Sequence, residues 1–292
     1  MIGGTAFVLP GFLVMLTLTL LYSRYGALPA LEGIFLGIGP AVVAVIGFSA
    51  WRLGLTACSR PGLAALGVAA FLLTAFLHLD TVIVLLLAGA VWILARRMAE
   101  RRATAAVTVL PLLVVAGPEV YARLVWLWVK MGALVYGGGY VIIPVVRNEA
   151  VHRFGWLSDR VFLDGLALGQ VAPGPIVNLS VFVGYQAGGL LGAVLAAVAV
   201  FAPAFAVVLA AAPLMARLRQ QRAMKLFLEG VNAAVVGAIV AATIPLARGA
   251  IVSPFTAMVA AASFLILWRA KPDTVWLVLA AGAAGWLWSL LR

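Results

Sequence analysis

The sequence has almost nothing with which to build a catalytic or metal centre. Of its 292 residues one is cysteine, Cys58, and two are histidine, His78 and His152. A single thiol excludes an internal disulfide, and two histidines far apart in sequence suggest no zinc-like cluster. No cofactor and no bound metal are therefore expected. Acidic residues are also scarce, nine against 20 lysines and arginines. Glu149, Asp159 and Asp164 fall near one another, but no metal motif accompanies them, so an enzyme is not expected.

Charge of either sign is short. Ten per cent of the residues are charged and 65% are hydrophobic, with a mean hydropathy of +1.17. Soluble domains are about half apolar and a quarter charged, and a soluble fold cannot hide that much apolar surface. The expected fold class is an all-α integral membrane protein, a polytopic helical bundle whose solvent is the lipid bilayer. The net charge of +11 does not point to nucleic acid. The basic residues fall in runs between apolar stretches: Arg96, Arg97, Arg101 and Arg102 in one, Arg217, Arg219, Arg222 and Lys225 in another. Clusters placed so are what the positive-inside rule predicts. The first apolar stretch lacks a basic n-region and runs on into further spans, so it does not read as a cleaved signal peptide.

A span needs about 20 apolar residues. Stretches that qualify or nearly do run 3–22, 33–50, 61–77, 81–95, 124–146, 161–186, 190–212, 231–246, 255–268 and 275–291, with a short one at 104–117. Several are short or broken, so broken helices belong to the expectation. The chain also repeats itself. Ala6–Phe12 resembles Ala199–Phe205, Leu31-Glu32-Gly33 matches Leu228-Glu229-Gly230, and Gly39–Ala44 lines up with Val236–Ala241, at an offset of about 195 residues. Wherever one copy is basic in its loops, the other is poor in basic residues, so the two copies are expected in opposite orientations. Such an inverted-topology repeat is a hallmark of secondary transporters. The expected division is 1–103 as the later part of a first repeat and 104–292 as a complete second one. The Arg96–Arg102 and Arg217–Lys225 loops are expected in the cytoplasm. An odd number of crossings must then join Arg102 to Leu190, so one short element there is expected to be re-entrant or interfacial.

The segment from Tyr136 to Gln186 is the most informative. It holds Gly137-Gly138-Gly139, then Arg147 and Glu149, then Asp164 and Gln170, then Pro173-Gly174-Pro175 and Asn178. Breaks at membrane depth expose backbone groups and survive where they face protein or a wet cavity. A helix can start after Pro175, placing Asn178 and Ser180 beside free amides that favour an anion, and the glycine run allows a close backbone approach. Arg147 reads either as a ligand of an oxyanion or as an interfacial anchor. Glu149 reads as a proton-coupling group or as a partner of Arg147. Asp164 is a helix-start residue or a proton carrier. Lys130 is expected to snorkel, Glu32 and Glu229 to cap helix starts, and the Gly33–Gly37 and Gly184–Gly188 spacings are helix-packing candidates.

The stretch GGGYVIIPVV, then GWLSDRVFLDGLALGQVAPGPI, then FVGYQAGGLLGAV resembles the signature region of the chromate ion transporter family. The resemblance implies proton-coupled export of chromate across the bacterial inner membrane. Nothing in the residues singles out chromium, and sulfate has the same charge and nearly the same shape. The implied partners are the bilayer, chromate or sulfate, and protons, with a homodimer left open. Binding is expected at Gly137, Gly138, Gly139, Arg147, Pro173, Gly174, Pro175 and Asn178, with the two breaks meeting near the midplane. Long members of that family carry both a glycine-rich and a PGP-like motif in each half, and here Met1 comes just before Phe7-Val8-Leu9-Pro10 without them. The alternative expectation is therefore a partial or inactive transporter that needs a further segment.

Overall fold

Lipid offers a backbone N–H no partner outside the protein, so an apolar run of this length satisfies its own amides by coiling into a helix. A computed structural model describes residues 2–25, 29–77, 79–100, 119–134, 140, 142–172, 174–210, 221–270 and 272–291. Among the described residues there is no strand. The helices are α1 (Ile2–Tyr25), α2 (Pro29–Ala57), α3 (Pro61–Ala75), α4 (Thr81–Glu100), α5 (Glu119–Leu134), α6 (Ile142–Arg147), α7 (Asp159–Val171), α8 (Leu179–Ala210), α9 (Arg222–Ala250), α10 (Pro254–Arg269) and α11 (Thr274–Leu290). The chain is a polytopic helical membrane protein. The apolar stretch 104–117 lies outside the described residues.

Two long helices organise the bundle. α2 packs against α10 and α11, α9 packs against α3 and α4, and α2 and α9 pack on each other. The satellite helices start alike: α3 and α10 have proline in the first turn, at Pro61 and Pro254. Asp80 and Asp273 accept from the amides of Val82 (2.8 Å) and Val275 (3.2 Å) at the starts of α4 and α11. Small residues let the helices approach closely, as in membrane interfaces generally. Gly33 and Gly37 of α2 face Gly285 and Ala281 of α11, Gly230 of α9 faces Ala88 and Gly89 of α4, and Gly237 of α9 faces Gly67 of α3. α1 stands at the periphery. Of its Val8–Tyr25 window 17% is buried, against 72% for Leu31–Ala57 of α2.

Two sequence expectations change. The run 124–146 is not one interrupted element but two that run antiparallel, since Lys130 of α5 meets Glu149 and Arg123 meets Phe154. Glu229 does not cap a helix start: α9 begins at Arg222, and Glu229 sits within it, bonded to Arg60 (3.3 Å) and the Trp92 indole (3.1 Å). The apolar period obscures that start because Arg222 and Lys225 occupy the first turns. The separation of 161–186 from 190–212 is kept: α8 is not one crossing, although 176–206 is apolar and long enough. Gly188 and Gly189 are non-helical, Gly189 with φ +63°, and Gly184 lies against Gly192 and Ala196. In a straight helix residues 184 and 196 would be about 18 Å apart. The chain turns back on itself there, giving arms 179–187 and 190–210.

The close helix contacts give a direct test. A side chain at Gly237 would meet the Gly67 carbonyl and the Phe71 amide, whereas nothing lies within 4 Å of one at Gly47. Overpacking costs about 1–3 kcal/mol, and backbone gives way less than side chains. Gly237→Leu should lower the thermal unfolding midpoint in detergent by several degrees, and Gly47→Ala, in open space within α2, should not lower it. An unchanged midpoint for Gly237→Leu would contradict the α3–α9 contact.

Candidate functional site

The segment 142–187 folds as an approach helix, a charged corner and a helical hairpin. α6 is buried along Ile142–Val146, as its unbroken apolar sequence requires. After Arg147 the helix widens into a π turn, Asn148–Arg153, a distortion frequent at functional positions. It aims Glu149 inward, where the residue is 2% exposed. The Glu149 carboxylate accepts from Lys130 Nζ at 2.6 Å and from Arg153 Nη1 at 3.2 Å. Arg147 donates through Nε and Nη2 to the two carboxylate oxygens of Asp159, at 2.8 and 3.0 Å. That two-point pairing matches the planar fork of a guanidinium to a carboxylate.

Asp159 opens α7, and the hydroxyl of Ser158 caps it by accepting from the Val161 amide. α7 has 13 residues, about 20 Å of helix, against a hydrocarbon core of about 30 Å. Too short to cross, it ends at Val171. Gly174 follows with φ +119°, a conformation that side chains with a Cβ rarely adopt. Pro175 is extended, Ile176–Asn178 form a 3-10 turn, and the first arm of α8 runs back along α7, with Gly165 against Phe182. α7 and this arm are thus a hairpin, with 174–178 in its turn.

The turn is polar in apolar surroundings. Asn178 is 2% exposed, and its amide group lies beside Gly174, where even a methyl would fall 2.9 Å from Nδ2. On either side, Gln170 Nε2 and Ser180 Oγ are buried and have no hydrogen-bond partner among the described residues. Halfway along α7, Asp164 accepts a 2.6 Å hydrogen bond from the Tyr22 hydroxyl of α1. The Tyr22 ring is held by Phe35 and Phe182, each at 5.4 Å between centroids.

A hairpin of this kind, wrapped by α1, α2, α9 and α11, is the part of the chain where the family resemblance is densest. The model of the chromate transporter family matches residues 1–115 and 122–286. The chain belongs to that family. It is 36% identical to the chromate transport protein of Pseudomonas aeruginosa, over 98% of this chain and 74% of that protein. It is 32% identical to the chromate transport protein of Cupriavidus metallidurans, over 96% of this chain and 72% of that protein. A probable chromate transport protein of Synechococcus elongatus is 28% identical, over 98% and 76%. No solved structure matches. As a member of this family the chain is a transporter, not an enzyme.

The structure therefore brings Gly174 and Asn178 into contact at the turn, with Gln170 near the end of α7 and Ser180 at the start of α8. Gly137, Gly138, Gly139 and Pro173 lie outside the described residues. Arg147 is at the base of the hairpin on Asp159 instead of on Glu149, whose partners are Lys130 and Arg153. Lys130 accordingly does not snorkel; its side chain is 11% exposed and turned inward. Asp164 is no helix-start residue, since α7 begins five positions earlier at Asp159. Its partner Tyr22 was not foreseen, because 142 positions separate the two and no local pattern joins them.

Removing one member of a buried ion pair leaves the other charge uncompensated, at about 3–5 kcal/mol. Lys130→Met, which leaves Glu149 only the partly exposed Arg153, should destabilise the purified protein by a substantial part of that in detergent unfolding. Adding Glu149→Leu should recover most of the loss, because Arg153, 63% exposed, can turn to solvent. Equal stability of the single variant and the native chain would refute the pairing.

Proposed function

We propose that this chain carries chromate, or the similarly shaped sulfate, across the bacterial inner membrane, and that the hairpin turn holds the anion. The single observation that carries the reading is the turn itself. Gly174 exposes backbone, Asn178 stands buried beside it, and Gln170 and Ser180 offer donors with no partner among the described residues. Buried donors without a carboxylate between them suit a dianion, and a restarted helix directs its free amides and dipole to the same place. Gly137–Gly139 and Pro173 belong to the proposed site by their neighbourhood in sequence.

The helix directions support a topology. Tyr121, Leu124 and Gly132 of α5 lie against Gly188, Gly192 and Val200 in turn, so α5 and the second arm of α8 run parallel. With the basic loops at Arg96–Arg102 and Arg217–Lys225 in the cytoplasm, the hairpin enters from the outer face and returns to it. The exchange of α3–α4 and α10–α11 between the two long helices supports an inverted repeat, whose halves rock about the hairpin. Export is proton-coupled, with Asp164 and Glu149 as the two carboxylates at depth. Asp164 is the better carrier, since its partner is a neutral hydroxyl and not two cations.

Everted vesicles carrying the chain should accumulate labelled chromate, excess sulfate should compete, and a protonophore should abolish accumulation. Asn178→Leu should reduce uptake to that of empty vesicles while the protein remains in the membrane at normal amount. Full uptake by Asn178→Leu would remove the turn as the binding site.

A further inference from the structure

A cavity of about 420 Å³ lies beside the base of the hairpin, remote from the residues of its turn. Its walls are the end of α3, the start of α4, the π turn and the last turns of α9. Arg147, Asn148, His152 and Arg248 line it together with Thr74 and Thr81, and none of its described lining residues is a carboxylate. Arg248 has no ion pair among the described residues. Arg147 spends two N–H groups on Asp159 and keeps three of a guanidinium's five.

The two threonines carry the argument further. Thr81 is 1% exposed, and the hydroxyls of both Thr74 and Thr81 are buried with no hydrogen-bond partner among the described residues. Helical threonines in apolar surroundings usually turn the hydroxyl back to the carbonyl one turn earlier. Thr17, Thr19 and Thr243 of this chain do so, at 2.9, 2.7 and 2.7 Å. Thr74 does not, although it lies in the last turn of α3 with the same option. Thr81 is the first residue of α4, directly after Asp80, whose carboxylate takes the Val82 amide. Two threonines whose hydroxyls have no partner among the described residues and two guanidinium groups thus line one space, and none of its described lining residues is a carboxylate.

We infer that this cavity is a second oxyanion site, taking a tetrahedral dianion of the sulfate and chromate class. In the proposed topology it opens at the outer face, because Arg248 and Thr81 lie at the ends of α9 and α4 opposite Lys225 and Arg96. The ligand's identity rests on the transport reading above; the site's preference for a compact anion rests on the donors alone. A phosphate headgroup of an anionic lipid has the same chemistry, and binding data separate the two.

The test is equilibrium binding of labelled sulfate to the purified full chain in detergent, with and without added phosphatidylglycerol. In an Asn178→Leu background, which removes the turn site, one class of sulfate binding should persist. Adding Thr81→Val or Arg248→Gln should weaken that class by about tenfold or more, the loss of one hydrogen bond to a charged group, and Thr81→Ser should preserve it. Unaltered elution on size exclusion shows that the variants remain folded. Residual binding that neither Thr81→Val nor Arg248→Gln weakens would overturn the inference. So would phosphatidylglycerol retained through Thr81 and Arg248 with sulfate unable to compete, which would assign the cavity to a lipid headgroup. Should Asn178→Leu instead leave both binding classes intact, the turn site fails and the cavity stands.

Discussion

A backbone amide or carbonyl left unpaired in hydrocarbon costs several kcal/mol, and the whole bundle follows from where this chain accepts that exposure. The interruption at 174–178 cannot face lipid. Around it stand α1, α2, α9 and α11, brought close by glycines that let α2 and α9 take their satellite helices almost backbone to backbone. A bundle packed on larger side chains would stand further from the hairpin and admit lipid to it. The small-residue contacts far from the turn are thus part of what makes a polar turn possible.

The second constraint is charge. Few charged groups lie within the apolar body, and those of the hairpin base are matched one to another: Arg147 with Asp159, and Glu149 with Lys130 and Arg153. These pairs tie α5, the π turn and the start of α7 into one corner, from which the hairpin projects. Tyr22 and Asp164 tie its middle to α1. The turn and the cavity beside the hairpin base both hold donors with no partner among the described residues, and an anion is what such places attract.

Much of this was legible in the residues. Long apolar runs gave the helices their positions, Pro173-Gly174-Pro175 marked the turn, and the stretches 161–186 and 190–212 were already distinct. What failed to show was whatever depends on distant parts of the chain. Lys130 looked like a snorkelling side chain because Glu149 reaches it only after the chain reverses between α5 and α6. Glu229 looked like a cap because its partners Arg60 and Trp92 belong to α3's start and α4. Thr74, Thr81 and Arg248 carry no local signal at all; three helices must pack before their side chains share a space.

The central claim is that the chain between Ser158 and Gln186 enters and leaves by one face of the membrane. With Cys58, the only cysteine, replaced by serine, single cysteines can be placed by Ser158→Cys, Gln186→Cys and Gln221→Cys. Intact cells and everted vesicles are then treated with a membrane-impermeant thiol reagent. The account predicts labelling of the first two from the same side and of Gln221→Cys from the opposite side. Labelling of Ser158→Cys and Gln186→Cys from opposite sides would show that α7 and the first arm of α8 cross the bilayer, and would contradict it.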